Sequence, residues 1–322
     1  MLYNIALSIL LLIQPADALT ATVDADAVKD RQPSLTIQYK GQSLKEARSS
    51  EYTYPLPGVP IVNEPKLDGL MDEVDKRTYM PPVDATLDGG GGIIPERTGY
   101  RLDRSTFQEQ FYGYIFEGGS SALEVPMKPV YPRVDSELMS SIRVKRIGLY
   151  TTYYNSRNKN RSHNIQLAAK AINNRVVFPN ETFSFNETVG KRTEAKGYMR
   201  APVIVRGEVS EGIGGGICQI SSTLFNAADR AGLQIVNRYS HSRHVPYVPP
   251  GRDATVSWHG PDFVFKNKYN EPILIRAYAQ NGTASIMIYS ADTVNEKPRE
   301  VPSASKKLPE EIKTEMKTVG RQ

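Results

Sequence analysis

Cysteine is almost absent from the sequence: Cys218 is the one cysteine among 322 residues. A chain with a single thiol forms no intramolecular disulfide and has none of the paired-cysteine spacings of structural zinc sites. The thiol lies in a glycine-rich stretch, GIGGGICQISSTLFNAADRAG (residues 212–232), where a helix is predicted to begin. Its position therefore calls for a functional explanation.

Charge of one sign is not concentrated anywhere in the chain. The net charge is +5, and the Lys and Arg residues are dispersed. A nucleic-acid-binding surface normally shows a focused basic stripe, so no nucleic-acid partner is predicted. Motifs for nucleotides, flavins and haem are also missing, and no cofactor is predicted. Hydrophobic residues make up 39% and charged residues 23%, a balance typical of a globular chain long enough for two modest domains.

The apolar run near the N-terminus, Ile5–Ile13, is too short to span a membrane comfortably, since a spanning helix needs about 20 residues. Pro15 and an Ala-x-Ala triplet at residues 16–18 follow it, although no Lys or Arg precedes it. These features predict a signal peptide over residues 1–18, cleaved after Ala18. The predicted location is secreted, or at the cell wall or extracytoplasmic face of the membrane. An uncleaved segment would instead associate the protein with the membrane.

Residues 19–62 are polar, contain scattered prolines and show no sustained periodicity, which predicts a linker. Residues 63–135 show the pattern of a small α+β unit. A Gly tract between two alternating segments predicts a hairpin over residues 81–99, and a capping box predicts a helix beginning near Ser105. An earlier helix is predicted from apolar residues at i, i+3, i+4 and i+7, namely Leu67, Leu70, Met71 and Val74.

Residues 143–291 form the second predicted domain. Helices are predicted over residues 162–172 and 218–231, and most strand-like runs follow the second helix, which is typical of the α+β class. The tail, residues 292–322, has mixed charge and few apolar residues, which predicts disorder. The strand-like runs are RIGLYTTYY, FSFN, PVIVRGEV, LQIVNRYS, DATVSW, DFVFKN, PILIRAYA and ASIMIYS.

Long sequence signatures in the second domain resemble the VanW-like family, which was first named from vancomycin-resistance gene clusters. The matching stretches are GGGICQISSTLFNAA (214–228), HSRHVPYVPPGRDATVSW (241–258), DFVFKN and PILI. Residues 63–135, with PPVDAT and a later G-Y-x-L-D, resemble a peptidoglycan-binding module that often precedes such domains. The resemblance implies a small α+β module followed by a domain with a helix-plus-antiparallel-sheet core. It also implies the cell envelope as the setting and peptidoglycan or its precursors as partner.

Cys218 has the sequence context of a nucleophile. A cysteine at a helix N-terminus lies at the positive end of the helix dipole, which favours the thiolate. A nucleophilic thiol also needs a base and often a third group that orients the base. We expect His241 to be the base because it matches the histidine of the family signature, whereas His244 lies at a variable position. Asp253, on or just before the next predicted strand, is the expected orienting group.

The residues next to Cys218 are candidates for stabilising an oxyanion. Gly215 and Gly216 allow the backbone to approach a substrate closely and to direct N–H groups at a developing negative charge. Gln219, in the first helical turn, is a candidate amide donor. Together these residues predict a cysteine-dependent amidase, peptidase or transpeptidase, and the resemblance implies peptidoglycan stem peptides as its substrate.

A structural interpretation stands beside the catalytic one. A lone cysteine is often a small buried hydrophobic residue, the glycines allow a tight turn, and His241 and Asp253 are able to bond backbone groups. The protein would then be a non-catalytic peptidoglycan-binding or cell-wall factor. A cleft that brings Cys218 and His241 together would favour catalysis. No metal site is predicted, because His241 and His244 are three residues apart in a strand or loop and do not converge on one ion.

Overall fold

The structure, a computed structural model, describes residues 34–56, 58, 60–118, 121–205 and 208–308. The predicted signal peptide, residues 1–18, lies outside these residues. The described chain forms two compact units, each with its own hydrophobic core. The first consists of the described residues up to Pro81 together with Gly99–Val130, and the second of Pro82–Thr98 and the described residues from Tyr131 onward.

The first unit is built from two helices and short strands. The strands pair in the orders β2-β1-β8, β3-β4 and β7-β9, and the hairpin β5-β6 belongs to the second unit. The elements are β1 (Leu35–Tyr39), β2 (Gln42–Ala47), β3 (Thr53–Tyr54), β4 (Ile61–Val62), α1 (Glu64–Thr78), β5 (Thr86–Leu87), β6 (Ile93–Ile94), β7 (Gly99–Leu102), α2 (Arg104–Glu117), β8 (Ala122–Glu124) and β9 (Met127–Val130).

The helical periodicity predicted for the first unit is confirmed. Asn63 caps α1, because its side chain accepts a hydrogen bond from the backbone N–H of Lys66. The predicted apolar face is buried in the core, where it packs with the apolar face of α2. The buried residues of the two helices include Leu67, Leu70, Met71, Val74, Phe107, Phe111, Tyr114 and Ile115.

The predicted linker, residues 19–62, is replaced by folded structure from Leu35 onward. Strand β1 pairs antiparallel with β2 and parallel with β8. Leu35 and Ile37 point into the core of the first unit and are fully buried. The sequence did not reveal this strand because two apolar residues among polar neighbours make too short an alternation to distinguish from a linker.

The predicted module, residues 63–135, is interrupted. Residues 82–98 and the described chain from Tyr131 belong to the second unit. Ala85 and Leu87 of the hairpin pack with Met139 and Leu274 in a small apolar cluster of that unit. The predicted hairpin itself is present as β5 and β6. Long-range packing, which periodicity does not report, determines the unit to which the hairpin belongs.

The second unit contains a four-stranded antiparallel sheet in the order β10-β18-β17-β11, a three-stranded sheet in the order β12-β16-β15, and the hairpin β13-β14. Its elements are α3 (Ser136–Ile142), β10 (Lys145–Tyr153), α4 (Lys159–Ile172), β11 (Arg175–Val177), β12 (Thr182–Ser184), α5 (Phe185–Val189), β13 (Arg200–Val205), β14 (Glu208–Ile213), α6 (Ile217–Arg230), β15 (Gln234–Asn237), β16 (Val264–Lys266), β17 (Ile273–Gln280) and β18 (Thr283–Ser290).

Helix α6 is the central helix of the second unit. It packs against β10 and β18, and α4 packs against both α6 and β17. The contact with β10 is close at Gly148, where an added Cβ would lie 2.5 Å from the carbonyl oxygen of Ala227. Gly232, with φ +78°, follows the end of the helix as predicted. The predicted α+β class, with a helix-plus-antiparallel-sheet core, is therefore confirmed.

Part of the predicted disordered tail, residues 292–322, is ordered. Val294 and Val301 are buried in the core of the second unit. The backbone N–H of Arg299 donates to the carbonyl of Arg230 at 3.0 Å, and the Tyr150 hydroxyl donates to the carbonyl of Pro302 at 2.9 Å. Two widely spaced valines in a charged segment gave no periodic signal, so composition alone suggested disorder. Among the described residues, no helix has the length and apolar character needed to cross a membrane.

Candidate active site

The turn that leads into α6 requires glycine. Gly214 and Gly216 have φ values of +85° and +103°, and Gly216 is the N-cap residue of the helix. Gly215 is buried, and a Cβ on it would lie 2.5 Å from the carbonyl oxygen of Ala201. The glycines therefore allow the chain to turn tightly from β14 into α6. The turn places Cys218 in the first turn of the helix.

Cys218 is half-buried, and its thiol has polar neighbours. The sulfur lies 3.6 Å from the carbonyl oxygen of Val256 and 3.9 Å from Oγ1 of Thr255. Burial raises the pKa of the thiol, but the hydrogen bond and positive charge of His241, with the contacts to Val256 and Thr255, outweigh burial and hold the pKa below its ordinary value. The site therefore favours a thiolate.

His241 connects Cys218 to Asp253. The Nδ1 atom of its ring lies 2.7 Å from Oδ2 of Asp253, and its backbone N–H donates to the same oxygen at 2.6 Å. Burial lowers the pKa of His241, but hydrogen bonding to Asp253 and to Cys218, with their negative charges, raises it to about 9. With Nδ1 bound to Asp253, Nε2 is the ring nitrogen left to face the thiol. The structure thus brings the three residues together: His241 is hydrogen-bonded to Asp253 and acts electrostatically on the thiol of Cys218.

Asp253 lies behind His241. Burial raises the pKa of its carboxyl, but the hydrogen bonds from the His241 side chain and backbone hold it below the ordinary value. Its Oδ1 also lies 3.5 Å from Nη2 of Arg238. The carboxylate is therefore ionised at neutral pH and orients the imidazole.

His241 and Asp253 lie on loop segments, and the strand predicted from DATVSW (253–258) is not formed. Side chains of α6 form the hydrogen bonds to the backbone of residue 254 that a neighbouring strand would form in a sheet. The Ser222 hydroxyl accepts from the backbone N–H of Ala254 at 2.9 Å, and the Ser221 hydroxyl donates to the Ala254 carbonyl at 2.5 Å. The apolar residues Ala254 and Val256 are buried, and their alternation with polar residues is the pattern that predicted a strand over residues 253–258.

Gln219 lines the cavity, but its side-chain amide has no free hydrogen for the predicted role as an oxyanion donor. Its side chain is fully buried, and both amide hydrogens are used within the fold: Nε2 donates to the Thr152 hydroxyl and to the Tyr153 carbonyl, both at 3.0 Å. Its Oε1 accepts from Nη2 of Arg161 at 2.7 Å. Gln219 therefore holds Arg161 against the start of α6.

The two glycines with predicted oxyanion roles differ in position. Gly216 lines the same cavity as Cys218. Gly215 is buried, and its carbonyl accepts from the Asn164 side chain at 3.0 Å. Two of the first backbone N–H groups of α6 already donate to carbonyls of the glycine turn, so the backbone N–H of Cys218 is the remaining first-turn candidate for contact with a substrate.

Cys218 and His241 open onto a cavity of about 880 Å³ in the second unit, within the size range of small-molecule and cofactor sites. Apolar and aromatic side chains, including Val245, Tyr247 and Trp258, form much of its wall. No Asp or Glu is among the described residues that line it. Within the described part of the chain, no group of three or more His, Cys, Asp or Glu side chains is arranged to hold a metal ion.

Sequence reasoning missed several cavity residues. Burial and the negative charge of Cys218 raise the pKa of Tyr247, so its phenol stays protonated. Tyr247, Thr255 and Val256 all lie within the 241–258 signature, which is the signal that would have drawn attention to them. Arg192 lines the cavity but lies outside both long signatures. No sequence feature distinguished it from the other dispersed cations.

Comparison with known proteins agrees with this architecture. The family model described as "VanW like protein" matches residues 160–289, and the one described as "Putative peptidoglycan binding domain" matches residues 16–124. "Uncharacterized protein YoaR" of Bacillus subtilis is 55% identical over 284 residues, covering 88% of this chain and 94% of the relative. "Vancomycin B-type resistance protein VanW" of Enterococcus faecalis is 34% identical over 83 residues, covering 26% of this chain and 30% of the relative. No solved structure matches.

The chain belongs to the VanW-like family and carries a peptidoglycan-binding domain ahead of its VanW-like domain. These two domains give it a cell-wall-related role, peptidoglycan as a partner and an extracytoplasmic setting.

Proposed function

We propose that this protein is a cysteine-dependent acyl-transfer enzyme that acts on the stem peptides of peptidoglycan. One observation carries the proposal: Cys218 and His241 share a cavity wall, and Asp253 is hydrogen-bonded behind the imidazole. A nucleophile, a base and an orienting carboxylate in this order are the groups that acyl transfer needs. Export through residues 1–18 is part of the same proposal.

In the first step, the thiolate of Cys218 attacks the carbonyl carbon of a peptide bond. A carbon–sulfur bond forms, and the carbonyl oxygen becomes an oxyanion that the backbone N–H of Cys218, in the first turn of α6, stabilises. The imidazolium of His241 then gives its proton to the leaving amine as the carbon–nitrogen bond breaks. The products are a thioester on Cys218, a free amine and a neutral imidazole.

In the second step, an acceptor attacks the thioester. His241 takes a proton from the acceptor, a carbon–oxygen or carbon–nitrogen bond forms, and the thiolate leaves. Water as acceptor gives hydrolysis, and an amine gives transpeptidation. Both outcomes restore the thiolate–imidazolium pair.

The pKa of the thiol tests this proposal directly. We expect iodoacetamide to alkylate Cys218 in the folded protein with an apparent thiol pKa below the free value of about 8.5. In the His241→Ala variant the pKa should rise above that value, because burial remains while the hydrogen bond and charge of the imidazole are lost. His244→Ala is the matched control, since His244 is exposed and absent from the cavity wall. It should leave the profile unchanged.

A second measurement addresses chemistry as well as reactivity. Intact-protein mass spectrometry after incubation with diacetyl-Lys-D-Ala-D-Ala should detect an acyl adduct on the wild-type protein that Cys218→Ala abolishes. A thiol that reacts only after unfolding, or that titrates near 8.5 with and without His241, would contradict the proposal and favour the structural interpretation.

A further inference from the structure

The cavity beside Cys218 gathers positive charge. Arg161, Lys191 and Arg192 line it, and no acidic side chain is among the described lining residues. Low-dielectric walls that carry one sign of charge raise the local concentration of ligands of the opposite sign. The cavity therefore has an electrostatic preference, although the chain as a whole carries only a mild excess of +5.

Arg192 is anchored on one side of its guanidinium. Nη2 donates to Oδ1 of Asn186 at 2.8 Å, and the guanidinium carbon lies 5.8 Å from the centre of the Phe185 ring. The other terminal nitrogen, Nη1, is buried and has no hydrogen-bond partner among the described residues. Arginine donors in a folded protein are normally satisfied, and an unpaired one on a charged group is costly.

Acidic groups of the fold do not satisfy this donor. Asp262 acts on Arg192 through its charge, but its oxygens accept from the Ser184 hydroxyl at 2.6 Å and the Asn186 backbone N–H at 2.9 Å. No ion pair joins Arg192 to an acidic side chain within the described parts of the chain. The negative charge of Cys218 also acts on Arg192, which places the guanidinium within electrostatic reach of the thiol.

Arg161 packs next to the glycine turn that precedes α6. An added Cβ on Gly216 would lie 2.8 Å from Cγ of Arg161, so this side chain crosses the start of α6. Its guanidinium is held by Gln219, whose amide is fixed in turn by Thr152 and Tyr153. Because these hydrogen bonds already fix the guanidinium, little further side-chain entropy is lost when an anion binds next to it.

We infer that the cavity recognises a free carboxylate on the peptide substrate, bound at Arg192 and supported by the positive charge of Arg161, next to the carbonyl that Cys218 attacks. This inference rests on the proposed function and names its substrate class. Arginine suits the role because its planar fork pairs with a carboxylate through two parallel hydrogen bonds. The carboxylate is either the C-terminal group of the peptide or an acidic side chain.

Peptide binding to the full chain carrying Cys218→Ala tests the inference without turnover. One probe pair is diacetyl-Lys-D-Ala-D-Ala with a terminal carboxylate and the same peptide as a terminal amide. The second pair is acetyl-Ala-Glu-Lys-Ala amide and its analogue with Gln in place of Glu. Calorimetry should give at least about tenfold tighter binding for the acid member of one pair, and that pair identifies the source of the carboxylate.

The added change Arg192→Gln should abolish that preference. Arg200→Gln is the matched control, because Arg200 is an exposed cation of the same unit that is not among the cavity-lining residues, and it should retain the preference. Equal affinity for acid and amide in both pairs, no binding of any of the four peptides, or a preference that survives Arg192→Gln would each overturn the inference. The thiol pKa of the wild-type protein is measured separately by alkylation. A negative calorimetry result with a lowered thiol pKa therefore rejects the carboxylate site but not the proposed chemistry.

Discussion

At the residue scale, one oxygen of Asp253 fixes both the position and the ionisation of His241. Oδ2 accepts from the backbone N–H and from the ring, so the loop and the imidazole are oriented by the same atom. The charge of the carboxylate also opposes the effect of burial on the imidazole. Orientation and basicity are therefore coupled at this residue.

Asp253→Asn should lower the pKa of His241 from about 9. The amide is close to the carboxylate in shape but carries no charge, so burial, which favours the neutral imidazole, meets less opposition. The titration of His241, followed by NMR of the imidazole carbons, measures the change. Asp292→Asn, at an exposed carboxylate, is the control and should not move it. An unchanged His241 titration in Asp253→Asn would show that Asp253 does not set the charge of the imidazole.

At the element scale, α6 carries both the thiol and the side chains that fix the loop opposite it. The helix was predicted over residues 218–231 and spans Ile217–Arg230, because its apolar periodicity, its glycine start and its glycine stop are all local signals. The placement of Cys218 in its first turn followed from the same signals. Local pattern therefore predicted the element on which the candidate site is built.

The loop residues show where prediction from sequence ends. The structure brings His241 against Asp253 and within electrostatic reach of Cys218, and the catalytic roles of the three residues stay predictions. The strand predicted over residues 253–258 is absent, because Ser221 and Ser222 of α6, rather than a neighbouring strand, satisfy the backbone of Ala254. The sequence also did not show that the Gln219 amide is already used, because its partners, Thr152 and Tyr153, come from a strand distant in sequence.

Gly148→Ala should destabilise the second unit by about 1–3 kcal/mol, the usual cost of overpacking. The added methyl group would meet the backbone carbonyl of Ala227, which cannot move without shifting α6. Urea unfolding followed by the fluorescence of Trp258, the single tryptophan of the chain, reports on this unit. Gly89→Ala is the control, since a Cβ there meets nothing within 4 Å. Equal midpoints for the two variants would mean that α6 and β10 do not pack as closely as described.

At the scale of the whole molecule, the two units share the chain in an interleaved order. The chain leaves the first unit after Pro81, returns at Gly99 and leaves it again after Val130. The predicted linker and tail also contribute to the cores, through Leu35 and Val301. Composition distinguishes globular from disordered segments on average, but it does not show which few apolar residues pack in a core against residues distant in sequence.

Val301→Asp should destabilise the second unit by roughly 3 kcal/mol, because it places an unpaired charge in an apolar core. The backbone carbonyl of Val301 also accepts a hydrogen bond from Arg230 at the end of α6, so the change should loosen that contact. Glu300→Gln, at the exposed neighbouring residue, is the matched control and should be nearly neutral. Trp258 fluorescence again follows unfolding. A neutral Val301→Asp would indicate that this segment is not part of the core.

The presence of a single cysteine also affects how well the thiol of Cys218 survives oxidation. A lowered thiol pKa favours the thiolate, the form that peroxide oxidises first to a sulfenic acid, and Cys218 opens onto a cavity that peroxide is small enough to enter. Many such groups are rescued when a second cysteine of the same chain condenses with the sulfenic acid to a disulfide. Cys218 has no such partner, so an external thiol must reduce it before further oxidation to the sulfinic acid becomes irreversible.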